Sequence, residues 1–277
     1  MQILAVLAGV GYLPVEMAKS AKNLGFKVVS VALVPGVEAE LEEVSDVYYE
    51  ISVMKLGKVL KTLQSEKVNQ AIMIGKVTKE LLYSKGAVLP DLKAIKFLAT
   101  LPDRKDDTIT KGLVDELHKI GVEVLDQTVL VEPILVEAGV LSKRKPTASE
   151  EADMDFGLEM ARAIGRYDIG QTVVVKNLAV MAVEAIEGTD ACVKRGCLLA
   201  KKDAIVAKTA KPAQDNRFDM PTVGLETMKS IAENGGLGIV MEAKRTFFIE
   251  RKQALEYANK HKLLVVAKWL VVICKLL

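Results

Sequence analysis

Two carboxylates and two cations, Lys211, Asp215, Arg217 and Asp219, share the short stretch AKPAQDNRFDMPTVG (residues 210–224) with Pro212 and Pro221. Asp215 and Asp219 stand four positions apart, a spacing at which two carboxylates can hold a hard cation through oxygen ligands. The forked guanidinium of Arg217 and the ammonium of Lys211 suit phosphate oxygens. The prolines stiffen the loop and so lower the entropy lost when a site is fixed. Gln214 and Thr222 add polar contacts for a ligand in the same loop. The plain alternative is a surface loop laced with ion pairs, each worth about 0–1 kcal/mol. That alternative explains the charge balance but not a second polar cluster elsewhere.

The second cluster is AIEGTDACVKRG, where an apolar strand runs into Glu187, Gly188, Thr189 and Asp190 before a helix containing Arg195. Thr189 or Asp190 can cap that helix. Glu187 and Asp190 can also hold a hard cation through oxygen ligands, with Thr189 a candidate substrate contact. Two glycine turns follow strands in the first half. AGVGYLP places Gly9 and Gly11 before a helix, where exposed N–H groups bind anions, and IGKVTKELL places Gly75 and Lys76 at a strand's carboxyl end. Each reads as a phosphate or nucleotide cradle or as a strand-to-helix turn. The third glycine of a dinucleotide fingerprint is missing, and Glu38 only loosely imitates a ribose-binding acid. Asp106 and Asp107 read first as helix-start carboxylates countering the dipole and second as metal or ribose contacts.

The elements that must position these residues follow from periodicity. In the first half, ILAVLAG, KVVSVALV, DVYYEIS, QAIMIGKV and GVEVLDQT read as strands. LPVEMAKSAKNLG, VMKLGKVLKTLQSEK and a long stretch over 91–121 read as helices. Strand–helix alternation predicts a mainly parallel, layered sheet. Pro133, Gly139 and Pro146 break the pattern, which suits a domain join over 126–146. The second half opens with helix-start chemistry over Thr147–Asp153. It continues as strands QTVVVKN, AVMAVEAIEG and AIVAKTA with a hairpin at NLAVMAV, a helix over GLETMKSIAENGG, and strands GLGIVMEA, TFFIER and LLVVA. The expected organisation is α/β, with a Rossmann-like parallel-sheet domain over residues 1–132. A distinct C-terminal α/β domain over 133–277 carries the loop.

Composition excludes some partners. Half of the 277 residues are hydrophobic, aromatics are 5% and the formal charge is +2, so neither stacking platforms nor a basic field invite nucleic acid. Cys192, Cys197 and Cys274 form neither a paired framework nor a zinc motif, and His118 and His261 read as exposed helix residues. The apolar N-terminus lacks a signal peptide's basic flank, and no run reaches the about 20 apolar residues of a spanning helix. A reduced, cytoplasmic compartment is expected. The tail HKLLVVAKWLVVICKLL ends in a segment, from Trp269, that packs on the protein or touches a membrane surface.

ARAIGRYDIGQTVVVKNLAVMAVEAIEGTDA followed by KTAKPAQDNRFDMPTVG resembles the LpxI-type UDP-2,3-diacylglucosamine pyrophosphatases. AGVGYLP, GKVTKELL and PDRKDDTITKGLVDELHKIG resemble that family's N-terminal segments. The resemblance implies hydrolysis of UDP-2,3-diacylglucosamine to 2,3-diacylglucosamine 1-phosphate (lipid X) and UMP in lipid A synthesis. It also implies a divalent metal, usually Mg²⁺, and attack of water on the phosphorus nearer the sugar. A required aspartate falls in the D-x-R-F-D-x-P segment, here Asp215, Arg217, Asp219 and Pro221, with either aspartate open. Asp215, Asp219, Arg217 and Lys211 are thus the catalytic candidates. A glycolipid nucleotide is the implied substrate, with a homodimer and contact with the inner face of the inner membrane as further expectations. The competing readings are an NAD(P)-dependent oxidoreductase using AGVGYLP and a nucleotide-binding regulator without turnover.

Overall fold

Short apolar runs in the first half form one five-stranded sheet. Ile3–Ala8 (β1), Lys27–Ala32 (β2), Val47–Glu50 (β3), Gln70–Ile74 (β4) and Glu123–Val124 (β5) lie in the order β3-β2-β1-β4-β5, all pairs parallel. β1 is buried from Leu4 to Ala8, as expected of a strand covered on both faces. Helices Leu13–Asn23 (α1), Glu40–Val44 (α2), Leu56–Ser65 (α3), Leu92–Thr100 (α4) and Asp106–Lys119 (α5) return the chain. The computed structural model describes residues 2–77, 88–103, 106–130, 134–212, 215–218 and 220–270.

In the first unit two details differ from the sequence reading. The helical stretch over 91–121 is two helices, because Leu101 precedes Pro102 and is extended at ψ 136°, as a residue before proline prefers. The short α2 carries Leu41 as its one buried residue, too little for a periodic signal.

The second half builds a six-stranded mixed sheet. Its strands are Gly139–Val140 (β6), Thr172–Lys176 (β7), Ala179–Val183 (β8), Ala204–Lys208 (β9), Gly236–Glu242 (β11) and Leu264–Lys268 (β13), in the order β6-β13-β11-β9-β7-β8. β13, β11 and β9 are parallel, while β6, β7 and β8 run antiparallel to their neighbours. Thr222–Val223 (β10) and Phe247–Phe248 (β12) form a separate parallel pair. Helix Ala148–Arg166 (α6) covers one face with Met154, Leu158 and Ala161 against Val173, Ile205 and Val240. Helices Thr189–Ala200 (α7), Leu225–Glu233 (α8) and Arg251–Lys260 (α9) cover the other. The polar α9 carries no apolar repeat that the sequence reading could use, since its only buried residues are Ala254 and Ala258.

The chain divides into two compact units, Met1–Glu132 with Asn216–Asp219, and Pro133–Asp215 with Met220–Leu277. The opening loop is thus shared by both. Phe218 is buried in the first unit's apolar core, and Asn216 C=O accepts from Gln127 N–H at 2.9 Å. Among the described residues no helix is long and apolar enough to cross a membrane. Residues 271–277 of the tail, Cys274 included, lie outside the described residues; LLVVA forms β13, and Trp269 beyond it is exposed.

The NLAVMAV hairpin depends on α6. Its turn residues Asn177 and Leu178 have φ of 50° and 58°, the left-handed pair of a two-residue hairpin turn, which is strained for leucine. Buried Asp153 accepts from both of their N–H groups, at 2.8 and 2.6 Å. Asp153→Ala is expected to cost about 1–3 kcal/mol, because it orphans two turn amides. A urea midpoint unchanged from wild type would contradict this.

Candidate active site

The polar residues of the second unit gather at one edge of its sheet. Parallel β9 and β11 end there in Lys208 and Glu242. Antiparallel β7 brings its start to the same edge, with Thr172 opposite Lys208. β8 returns the chain to that edge, where Glu184 N–H donates to Thr172 C=O at 2.9 Å. Open sheets bind ligands at the carboxyl ends of their parallel strands.

On the α7 face, buried Lys208 donates from Nζ to Thr189 Oγ1 at 2.9 Å, and that hydroxyl donates to Glu184 Oε1 at 2.8 Å. Gln171 N–H holds the other carboxylate oxygen of Glu184 at 3.2 Å. Thr189 is therefore not a helix cap; Gly188, at φ 81°, occupies that position with no side-chain bond to the helix end. The start of α7, which favours anions through its N–H groups and dipole, thus stands beside a buried cation. Thr172 and Thr209 are fully buried, and neither Oγ1 has a hydrogen-bond partner among the described residues.

On the α6 face, buried Glu242 accepts from Ala210 N–H at 3.0 Å. Burial pushes its carboxyl above the usual range, against the pull of that N–H and of the Arg245 and Arg162 charges. Lys211 pairs with Asp168 at 2.6 Å, and Arg245 Nη2 donates to Lys211 C=O at 3.3 Å.

Glu187 is bound by Arg195 at 2.5 Å and by Ala185 N–H at 3.2 Å; its own backbone N–H and the Arg195 guanidinium hold its carboxyl low. Asp190 is exposed in the first turn of α7. Thr222 turns its hydroxyl to Met220 C=O at 3.1 Å. Asp215 and Arg217 are half-buried and engaged by neighbours. Gln214 and Asp219 lie outside the described residues, as do the side chains of Asp106 and Asp107. Among the described residues no group of three or more His, Cys, Asp and Glu is arranged to hold a metal ion. Glu187 is already committed to a guanidinium.

In the first unit the two glycine turns are joined. Gly9 N–H donates to Ile74 C=O at 2.8 Å, and Val10 and Lys76 exchange backbone bonds at 3.0 and 2.9 Å. A Cβ on Gly9 would stand 2.6 Å from Lys76 O, and one on Gly75 2.7 Å from Gly9 O. Both glycines are required by this close approach. Gly11 differs: its φ is 105° and open space lies before it, as a ligand cradle requires. Lys76 is exposed beside the turn.

His118 is exposed, and His261 stacks on Tyr257 at 4.2 Å. Burial pushes the Cys192 thiol up to about 12 and the Cys197 thiol up to about 11, so neither is a thiolate at neutral pH.

The LpxI N-terminal domain family matches residues 3–134, and the LpxI C-terminal domain family matches residues 137–266. The chain is 32% identical over 270 residues to a Caulobacter vibrioides protein named UDP-2,3-diacylglucosamine pyrophosphatase LpxI, covering 94% of this chain and 95% of that one. Two solved structures cover most of the chain far more remotely. A UDP-glucose-4-epimerase from Stenotrophomonas maltophila shares 10% identity and a TM-score of 0.36 over 97% of this chain and 78% of its own. CobK precorrin-6A reductase shares 11% and 0.34 over 96% of this chain and 87% of its own. Neither similarity bears on the site. With both of its domains matched in order, the chain belongs to the LpxI family.

Proposed function

We propose that this protein hydrolyses the diphosphate of UDP-2,3-diacylglucosamine, releasing 2,3-diacylglucosamine 1-phosphate and UMP, as a step of lipid A synthesis. The observation that carries this reading is the family itself, spanning residues 3–266, with a relative of that name aligned over 94% of the chain. The edge geometry supports it. A diphosphate ester concentrates negative charge, and its transfer is catalysed by positioning and by cations placed where charge develops. Lys208, steadied by Thr189 beside the start of α7, is proposed to hold one phosphate oxygen. Lys211 and Arg217 supply further cations from the loop. In the first unit, taken by itself, Gly11 and Lys76 are proposed to contact nucleotide.

A divalent cation, Mg²⁺ by family expectation, would neutralise diphosphate charge when bound. Asp215 and Asp219 are the carboxylates proposed for it. A diacylated substrate resides in a bilayer, so a peripheral contact at the membrane's inner face belongs to the same proposal. Purified protein given UDP-2,3-diacylglucosamine and Mg²⁺ is expected to release UMP, and excess chelator is expected to stop the release. UMP formation undiminished in chelator would remove the metal from the proposal. Absence of UMP with every divalent ion tried would leave nucleotide binding without turnover.

A further inference from the structure

The chain leaves β9 under close control. Thr209 N–H donates to Gln171 C=O at 3.0 Å, Ala210 N–H to Glu242 at 3.0 Å, and Lys211 C=O accepts from Arg245 at 3.3 Å. Successive backbone groups are thus held by different segments, and Lys211 Nζ is tied to Asp168 as well. Beyond β9 the neighbouring strand β11 offers no main-chain partner for Ala210. A side-chain carboxylate takes that place at the last residue of β11, only 5% exposed.

Burying a carboxylate is costly, and an apolar residue there would serve the core better. What the carboxylate does is satisfy a buried N–H that would otherwise be orphaned where the loop begins. The charges around it are Arg162 from α6, Arg245 after β11, and Lys268, its cross-strand neighbour on β13, which itself bonds Asp155 of α6 at 2.5 Å.

We propose that Glu242 and Arg245 form a clamp that positions Lys211, so that Glu242 is a positioning residue of the active site and touches no substrate. The role of Lys211 in this inference rests on the proposed hydrolase activity. The clamp itself is testable without it.

Amide exchange at Ala210 and hydrolysis of UDP-2,3-diacylglucosamine should be measured together for wild type, Glu242→Ala, Glu242→Gln, Lys211→Ala and Lys211→Ala/Glu242→Ala. In Glu242→Ala the Ala210 amide should exchange at least about tenfold faster, while Glu242→Gln keeps an acceptor and its protection. Glu242→Ala should lose at least about thirtyfold in kcat/KM, and Glu242→Gln should remain within about threefold of wild type. The double variant should lose no more than Lys211→Ala alone, because residues acting as one unit are not additive.

Glu242→Gln as inactive as Glu242→Ala, with Ala210 still protected, would overturn positioning in favour of direct use of the carboxylate. Additive losses, or full activity in Glu242→Ala, would overturn it too. If Glu242→Ala does not fold, Arg245→Met loosens the other end of the clamp, and additivity with Lys211→Ala there is equally contrary. If wild type releases no UMP, the hydrolase reading has failed, and Ala210 exchange alone decides the clamp.

Discussion

Asp215→Ala and Asp219→Ala are each expected to fold, and at least one should lower turnover by about 10³-fold or more, as loss of a group acting only on transition-state charge does. Asp215 is half-buried at the point where the chain passes from one unit to the other, so its removal opens no large cavity. For Asp219 the expectation rests on the D-x-R-F-D-x-P motif. Thermal unfolding within a few degrees of wild type, with UMP still able to bind, would show that chemistry and not folding was lost. Two variants at wild-type rates would remove the loop from the active site. Arg217→Lys should also lose activity, since an ammonium cannot reproduce the forked guanidinium contact.

Lys208→Met carries the second large expected effect. Methionine is unbranched and only one atom shorter than lysine, so most of the sheet edge stays filled while Thr189 and Glu184 lose their cation. If Lys208 meets a phosphate oxygen, kcat/KM should fall by about 10²–10³-fold, or roughly 3–4 kcal/mol of transition-state stabilisation. Thr189→Val should show a smaller loss, because it removes the hydroxyl that steadies the amine but leaves the charge. Steady-state kinetics at saturating Mg²⁺ compares them. A Lys208→Met enzyme at the wild-type rate would make the Lys208–Thr189–Glu184 chain a purely structural one.

The elements were legible where one face repeats: the strands of the first sheet, β7, β8, β9, β11 and β13 of the second, the helix-start chemistry over Thr147–Asp153 before α6, and the NLAVMAV hairpin follow from local chemistry, whereas the two-residue β6 lies in the stretch read as a domain join. Where the repeat is thin, as in α2 and α9, nothing marks the helix. The break between α4 and α5 was visible in Pro102 and was overridden by the helical pattern on both sides. The site was less legible. Lys208 and Glu242 each stand as one polar residue closing an apolar run, which reads only as the end of a strand. The sheet order, which brings β7, β9 and β11 side by side, makes them neighbours, and no spacing along the chain encodes that. Thr189 stands out in its motif, whereas its hydrogen-bond partners Lys208 and Glu184 carry no such local signal.

The most direct test is hydrolysis of UDP-2,3-diacylglucosamine in ¹⁸O-labelled water, with both products examined by mass spectrometry. The proposed reaction, with water attacking the phosphorus nearer the sugar as the family resemblance implies, predicts UMP without label and 2,3-diacylglucosamine 1-phosphate carrying one ¹⁸O. Label in UMP would contradict that direction of attack, and no labelled product under any divalent ion would contradict the hydrolase itself.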